Sequence, residues 1–128
     1  MENENIENGY TWAKVLGLNE ITEIAEQNSV EVEVELDDGR IVNIVLLKDS
    51  SQKSGWIAYE NKCSHDYESL DDAEINFEDH TIQCPHHGAK FDLETGKALC
   101  MPAITPINVF SIKESGDGFL YLMVPNKI

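Results

Sequence analysis

Residues 30–48, VEVEVELDDGRIVNIVLLK, have the pattern of two β-strands joined by a turn. Val and Glu alternate from Val30 to Leu36, and successive side chains of a strand point to opposite faces. One face of this strand is therefore apolar and the other carries carboxylates. The Asp-Asp-Gly of residues 37–39 predicts a hairpin turn, because its Asp-Gly pair supplies the positive φ angles that such turns need. Ile41–Lys48 is then the returning strand.

The rest of the chain has the same character. Short alternating runs separated by turn residues recur, and no stretch has a sustained helical period. We predict an all-β fold in a single domain, residues 1–128, with a frayed N-terminus at 1–9 and one helical turn near Leu18–Ala25. The further predicted strands are Tyr10–Leu16, Trp56–Tyr59, Ile75–Phe77, Thr81–Cys84, Lys90–Leu93, Ile107–Glu114 and Phe119–Val124.

The charge of the chain restricts its partners. It has 24 acidic and 9 basic residues, a formal charge of −15, which opposes binding to nucleic acid or to an anionic membrane surface. A partner with a basic docking face is favoured. The longest apolar run, Ile44–Leu47, is far shorter than the roughly 20 residues that cross a bilayer, and the opening residues do not resemble a secretion signal. We expect a cytoplasmic protein.

Two short motifs carry the chemistry: CSH at residues 63–65 and CPHHG at residues 84–88. Thiolate and imidazole ligands suit both iron and zinc, so the ligand types alone do not choose the metal. A structural zinc site more often pairs two like ligands, as in CxxC, whereas each motif here offers one Cys and one His. Two such loops can face one another so that the cysteines bind one iron and the histidines the other. A zinc-stabilised interaction domain remains the alternative.

With Phe91, Asp92, Thr95 and Gly96 behind the second motif, the sequence resembles the Rieske ferredoxin family, most closely the ferredoxins of ring-hydroxylating oxygenases. The resemblance extends from Trp12 to Val124. It implies a Rieske-like antiparallel β-sandwich with a small inserted cluster-binding lobe at about residues 61–96. It also implies one [2Fe-2S] cluster, a side-shielding loop over Met101–Pro106, and the ligands Cys63, His65, Cys84 and His87.

The sequence departs from the respiratory members of that family in several places. Those proteins have an extra cysteine in each loop, joined as a disulfide, and His86 stands at the equivalent position of the second loop. They also have a Ser and a Tyr whose hydroxyls bond to sulfur, where this chain has Ala89 and Phe91. Residues 66–68, Asp-Tyr-Glu, also replace the small or apolar residue and Gly that members of the family in general commonly have after the first His. A low reduction potential is therefore expected.

Other reactive side chains have plainer interpretations. Only one His of the second motif can complete the ligand set, so His86 is expected to be solvent-exposed. His80 is interpreted as a surface residue, and Cys100 as a small buried apolar one. Two pairs of carboxylates, Asp37 with Asp38 and Asp71 with Asp72, are interpreted as solvated turns rather than acid–base catalysts.

The resemblance implies a one-electron carrier rather than an enzyme. Four protein ligands leave neither iron an open position, and no GxGxxG motif marks a flavin or nicotinamide site. Electrons would arrive from a flavin-dependent ferredoxin reductase and leave to a terminal oxygenase, with His65 and His87 as the exposed port. A small or regulatory subunit of a larger reductase, such as nitrite reductase, is the alternative within the same chemistry.

Overall fold

The structure is a computed structural model that describes residues 6–7, 10–52, 55–62, 70, 73–84, 88–100, 105–114 and 116–126. Within these residues it contains eleven strands and one short helix. In chain order they are β1 (Ile6–Glu7), β2 (Tyr10–Leu16), α1 (Leu18–Glu23), β3 (Ser29–Glu35), β4 (Ile41–Lys48), β5 (Trp56–Glu60), β6 (Glu74–Asn76), β7 (Thr81–Gln83), β8 (Lys90–Asp92), β9 (Ala98–Cys100), β10 (Val109–Glu114) and β11 (Leu120–Pro125). The all-β prediction is confirmed.

The chain divides into two compact units, and the larger comprises residues 1–58 and 110–128. Its strands belong to a seven-stranded sheet in the order β1-β2-β11-β10-β5-β4-β3. Alternation builds its core, because every second residue of the main strands turns inward. The buried residues of this core are Val34, Leu36, Val42, Ile44, Leu46, Trp56, Ala58, Leu120, Leu122 and Val124.

β3 and β4 form the predicted antiparallel hairpin, with a register that runs from Ser29 opposite Leu47 to Glu35 opposite Ile41. Its turn differs in one detail from the prediction. Gly39 has a positive φ of 91°, whereas Asp38 is not among the described residues with positive φ, and Leu36 N–H donates to the Arg40 carbonyl at 2.8 Å. The loop therefore has three residues and a single left-handed glycine, a common hairpin class.

Asp38 contributes to this turn through its side chain. Its carboxylate accepts the backbone N–H of Arg40 at 3.0 Å and the Arg40 Nε–H at 2.7 Å. The backbone hydrogen bond, followed by the guanidinium, holds the pKa of Asp38 below its ordinary value of 3.8. The turn is thus stabilised by an ionised carboxylate.

The smaller unit, Tyr59–Val109, is inserted in the larger one by sequence. Its four-stranded antiparallel sheet has the order β6-β7-β8-β9. Ile82 on β7 lies opposite Phe91 on β8, and both side chains are fully buried. The sequence pattern did not predict β9, a three-residue strand that pairs with β8 with a register shift. The predicted lobe at about 61–96 falls within this unit, and its role in binding a cluster stays a prediction.

Of residues 1–9, the structure describes Ile6–Glu7, which form β1 and pair with Thr11 and Tyr10. The prediction of a frayed N-terminus otherwise falls on residues outside the described ranges and stays a prediction. The helical turn is found at Leu18–Glu23. The Glu20 carboxylate stabilises the start of this helix by accepting the Gly17 N–H at 2.8 Å, which is one of the two bonds of a capping box. Among the described residues, no helix has the length and apolar composition needed to cross a membrane.

Candidate metal centre

The second motif is anchored at the end of β7. Cys84 directly follows Gln83, and its side chain is completely buried and forms no disulfide. The Cys84 N–H donates to the Ala89 carbonyl at 2.7 Å, and the Gly88 N–H donates back to the Cys84 carbonyl at 3.0 Å. Ala89 is also fully buried. The two backbone bonds close a tight loop that begins with a buried thiol.

A side chain reinforces this loop. Gln83 Nε2 donates to the Gly88 carbonyl at 3.2 Å, so the residue before Cys84 is bonded to the residue after His87. Gln83 lies opposite Glu74 on one neighbouring strand and Lys90 on the other. Gln83 thus lies on β7, which is paired on both sides, and this pairing limits the movement of its backbone.

The first motif has a comparable anchor. Leu70 is buried, and its N–H donates to Asn61 Oδ1 at 2.8 Å, which joins the two ends of the segment that contains Cys63 and His65. The strand end before Asn61 is held as well. Glu60 N–H donates to the Asn108 carbonyl at 2.9 Å, and Asn108 Nδ2 returns a bond to Glu60 Oε1 at 2.9 Å. The segment therefore starts from a fixed backbone.

Phe91 and Asp92 end β8, and Thr95 and Gly96 lie between β8 and β9. The Asp92 carboxylate accepts the Glu94 N–H at 2.7 Å, and Thr95 Oγ1 accepts the Lys97 N–H at 3.2 Å. Gly96 has a φ of +80°, and its carbonyl accepts the Ile107 N–H at 2.8 Å. These bonds fix the backbone that follows β8.

Of the four predicted ligands, the structure places Cys84. Cys63, His65 and His87 lie outside the described residues, as do His86, Asp66–Glu68 and Met101–Ile104. Within the described residues, no group of three or more His, Cys, Asp or Glu side chains could hold a metal ion. The one donor that the structure describes fits a cluster with two Cys and two His ligands, because the buried thiol of Cys84 is outside any disulfide and begins a closed loop. The ligand set as a whole remains a prediction.

Two features of the smaller unit were not foreseen. His80, interpreted as a plain surface residue, is half-buried, has a φ of 55°, and places Nδ1 2.6 Å from Glu94 Oε2. Asn61 and Gln83 were not singled out either. Their only sequence signal is an amide residue one or two positions before each motif cysteine, and such a signal is too common to be recognised from the sequence alone.

Comparisons with known proteins agree with this structure. The model of the Rieske [2Fe-2S] domain matches residues 11–111. The 3-phenylpropionate/cinnamic acid dioxygenase ferredoxin subunit of Shigella flexneri serotype 5b is 41% identical over 68 residues, which are 52% of this chain and 63% of the relative. The chain thus spans a little under two thirds of that relative's length.

Solved structures show the same fold. One is from a complex of reduced oxygenase and oxidized ferredoxin in carbazole 1,9a-dioxygenase, with a TM-score of 0.66 and 23% identity over 90% of this chain and 93% of that one. Another is a putative NADH-dependent nitrite reductase small subunit from Mycobacterium tuberculosis, with a TM-score of 0.62 and 16% identity over 89% and 95%. The predicted Rieske-like fold is therefore confirmed.

The buried cysteine, the closed loop and the matched domain together define an iron–sulfur protein. The chain belongs to the Rieske [2Fe-2S] domain family. Membership implies one [2Fe-2S] cluster and disfavours the zinc alternative.

Proposed function

We propose that the chain is a ferredoxin that carries single electrons from a flavin-dependent ferredoxin reductase to a terminal ring-hydroxylating oxygenase in the cytoplasm. The observation that carries the proposal is the fully buried thiol of Cys84 at the start of a closed loop, within a matched Rieske domain. A [2Fe-2S] cluster with four protein ligands supplies reversible one-electron chemistry and has no open position for substrate. The chain is then a component of an oxidoreductase system rather than a complete enzyme.

The proposed ligands are Cys63 and Cys84 for one iron, and His65 and His87 for the other. The motif spacing supports this set, and so does the contrast between Cys84 and Cys100, the cysteine outside the proposed set. Cys84 begins a loop braced by backbone bonds, whereas Cys100 is the last residue of β9. The two cysteines therefore have different surroundings in the backbone.

The proposed partners rest on the relatives and on charge. The relative with 41% identity is named as a dioxygenase ferredoxin subunit, and the carbazole structure pairs a ferredoxin with an oxygenase. A formal charge of −15 favours partners with basic docking faces and faster encounter at low salt. Neither nucleic acid nor a membrane surface fits that charge.

Substitution of single ligands tests the proposed set. An iron that loses one protein ligand has an open position, so the cluster should be lost or changed in spectrum. The visible spectrum, iron content and acid-labile sulfide are measured for each variant. The variants expected to lose the native spectrum are Cys63→Ser, His65→Ala, Cys84→Ser and His87→Ala.

His86→Ala and Cys100→Ser are the matched controls, and both should retain two irons and two sulfides. A His86→Ala protein without cluster would show that the second motif is read in the wrong register. A colourless wild-type protein with a single zinc ion would refute the proposal and restore the interaction-domain alternative.

Electron transfer separates the two redox alternatives. The reduced protein should be reoxidised by a ring-hydroxylating oxygenase and re-reduced by its flavin reductase in repeated cycles. The nitrite reductase alternative predicts stable co-purification with one large reductase subunit instead. Fold similarity does not decide between them, because the two solved structures match with TM-scores of 0.66 and 0.62.

A further inference from the structure

Both motif segments are braced by an amide side chain that precedes the motif cysteine. Asn61 lies two residues before Cys63, and Gln83 lies one residue before Cys84. Each amide reaches across to the far end of its own segment. Asn61 Oδ1 is 2.8 Å from Leu70 N, and Gln83 Nε2 is 3.2 Å from Gly88 O.

The bond from Leu70 uses the oxygen of the Asn61 amide, whereas the bond to Gly88 uses the nitrogen of the Gln83 amide. The partner of Asn61 is a backbone N–H, so Asn61 must supply an acceptor. The partner of Gln83 is a backbone carbonyl, so Gln83 must supply a donor. A carboxylate can replace the first role and cannot replace the second.

We propose that Asn61 and Gln83 are positioning residues that fix the two ligand loops for the cluster, an inference that rests on the proposed function and its ligand set. Groups behind the ligands commonly set ligand orientation and metal retention. Gln83 adds a third bond to the two backbone bonds between residues 84 and 88–89. Asn61 holds the buried Leu70, which limits the separation of the ends of the first loop.

Two isosteric substitutions test the proposal, Asn61→Asp and Gln83→Glu. Each replaces an amide by a carboxylate and adds one negative charge close to a motif cysteine, so general electrostatic effects are similar. Asn61→Asp keeps the acceptor, whereas Gln83→Glu places a carboxylate oxygen against the Gly88 carbonyl. The rate of iron release to a strong chelator is measured as the loss of visible absorbance of the loaded protein. For Asn61→Asp this rate should stay within about twofold of the wild-type rate. It should be about tenfold faster for Gln83→Glu, a ratio equal to about 1.4 kcal/mol.

Two uncharged variants separate the hydrogen bonds from the added charge. Asn61→Leu removes the acceptor and Gln83→Met removes the donor, and both should release iron faster than wild type. The electron paramagnetic resonance g-values of the reduced protein should shift in Gln83→Glu and Gln83→Met, a change that a loss of overall stability would not produce. Both tryptophans, Trp12 and Trp56, belong to the larger unit, so unfolding followed by their fluorescence should be unchanged.

The outcomes are distinct. A Gln83→Glu protein that loads no cluster, beside a loaded Asn61→Asp protein, is the expected result in its strongest form. Equal iron release by these two variants, from a wild-type protein that holds its cluster, would overturn the inference alone. A wild-type protein without iron and sulfide would overturn the proposed function, and the inference with it.

Discussion

Gly96→Ala should be the most destabilising single glycine substitution among the positions whose surroundings the structure describes. A Cβ at this residue would lie 2.1 Å from the Ile107 carbonyl oxygen and 3.2 Å from its carbonyl carbon. Ordinary contacts of a Cβ begin near 3.4 Å. The obstacle is backbone rather than the end of a flexible side chain, so the chain itself must move by more than an ångström.

The cost has three parts. The left-handed conformation of Gly96, with φ of +80°, costs an alanine about 1–2 kcal/mol. Moving Ile107 away weakens the bond from its N–H to the Gly96 carbonyl at 2.8 Å, worth about 0.5–1.5 kcal/mol. The displaced turn adds strain, so a total of about 2–4 kcal/mol is expected. That is a large share of the roughly 5–15 kcal/mol that stabilises a typical domain.

Two other glycines supply matched controls. Gly39 has φ of +91° and nothing within 4 Å of the point that a Cβ would occupy, so Gly39→Ala should cost only the conformational part, about 1–2 kcal/mol. Gly116 has neither a positive φ nor a close neighbour, so Gly116→Ala should have almost no effect. Guanidinium unfolding followed by far-ultraviolet circular dichroism gives the three midpoints. A Gly96→Ala midpoint equal to that of Gly39→Ala would refute the steric argument.

Three further predictions concern potential, docking and pH. The reduction potential, measured by protein-film voltammetry, should lie near the low end of the Rieske range of roughly −150 to +300 mV, and a value above about +150 mV would contradict the oxygenase assignment. Ala89→Ser supplies a buried hydroxyl next to the loop of Cys84 and should raise the potential by about 40–90 mV, since a bond worth roughly 1–2 kcal/mol more to the reduced cluster corresponds to that shift. Ala58→Ser makes the same change in the core of the larger unit and should leave the potential unchanged. Reduction by the reductase should slow as ionic strength rises, and a flat salt profile would show that the charge of −15 plays no part in recognition. The pKa of Asp38 is lowered on folding, so its ionised form stabilises the protein above pH 3.8, the ordinary pKa, and this contribution is lost in stronger acid. Wild type and Asp38→Asn should therefore differ in stability at pH 7 and converge below pH 3.8. The same difference in stability at all pH values would contradict this prediction.

The sequence predicted the larger sheet well because its strands follow one strong physical pattern. In β3, valines and glutamates alternate, and the β4 boundaries at Ile41 and Lys48 agree with the prediction. Because one face of such a strand is buried, each residue along it adds to the alternating pattern that the sequence displays. The position of the Asp-Gly turn was also predicted correctly. The class of the turn depends on whether Leu36 pairs with Arg40, and this strand register was not predicted from the sequence.

The smaller unit was harder to predict because its strands are too short to show a period. β6, β7, β8 and β9 each have three residues, and β9 pairs with β8 through a register shift. Three residues give one alternation at most, so turn chemistry has to carry the prediction. β6, β7 and β8 were predicted to within a residue or two, whereas β9, which follows the turn after β8, was missed. β1 was missed for the same reason, since it has two residues.

The candidate site was likewise predicted only in part, because the sequence indicates possible ligands but not the bonds that position them. Ligand identity is a property of side-chain chemistry, so cysteines and histidines in two short motifs are enough to point to a metal. Ligand placement depends on how the loops are closed, and the bonds that close these loops involve backbone atoms. Every residue has such atoms, so the sequence gives no sign of which of them are bonded. The amides of Asn61 and Gln83 therefore carry no distinctive pattern, although their partners, Leu70 N–H and Gly88 O, require opposite chemistry. Residue types can thus propose the ligands, while the proposed bracing of their loops depends on which half of each amide bonds to the backbone.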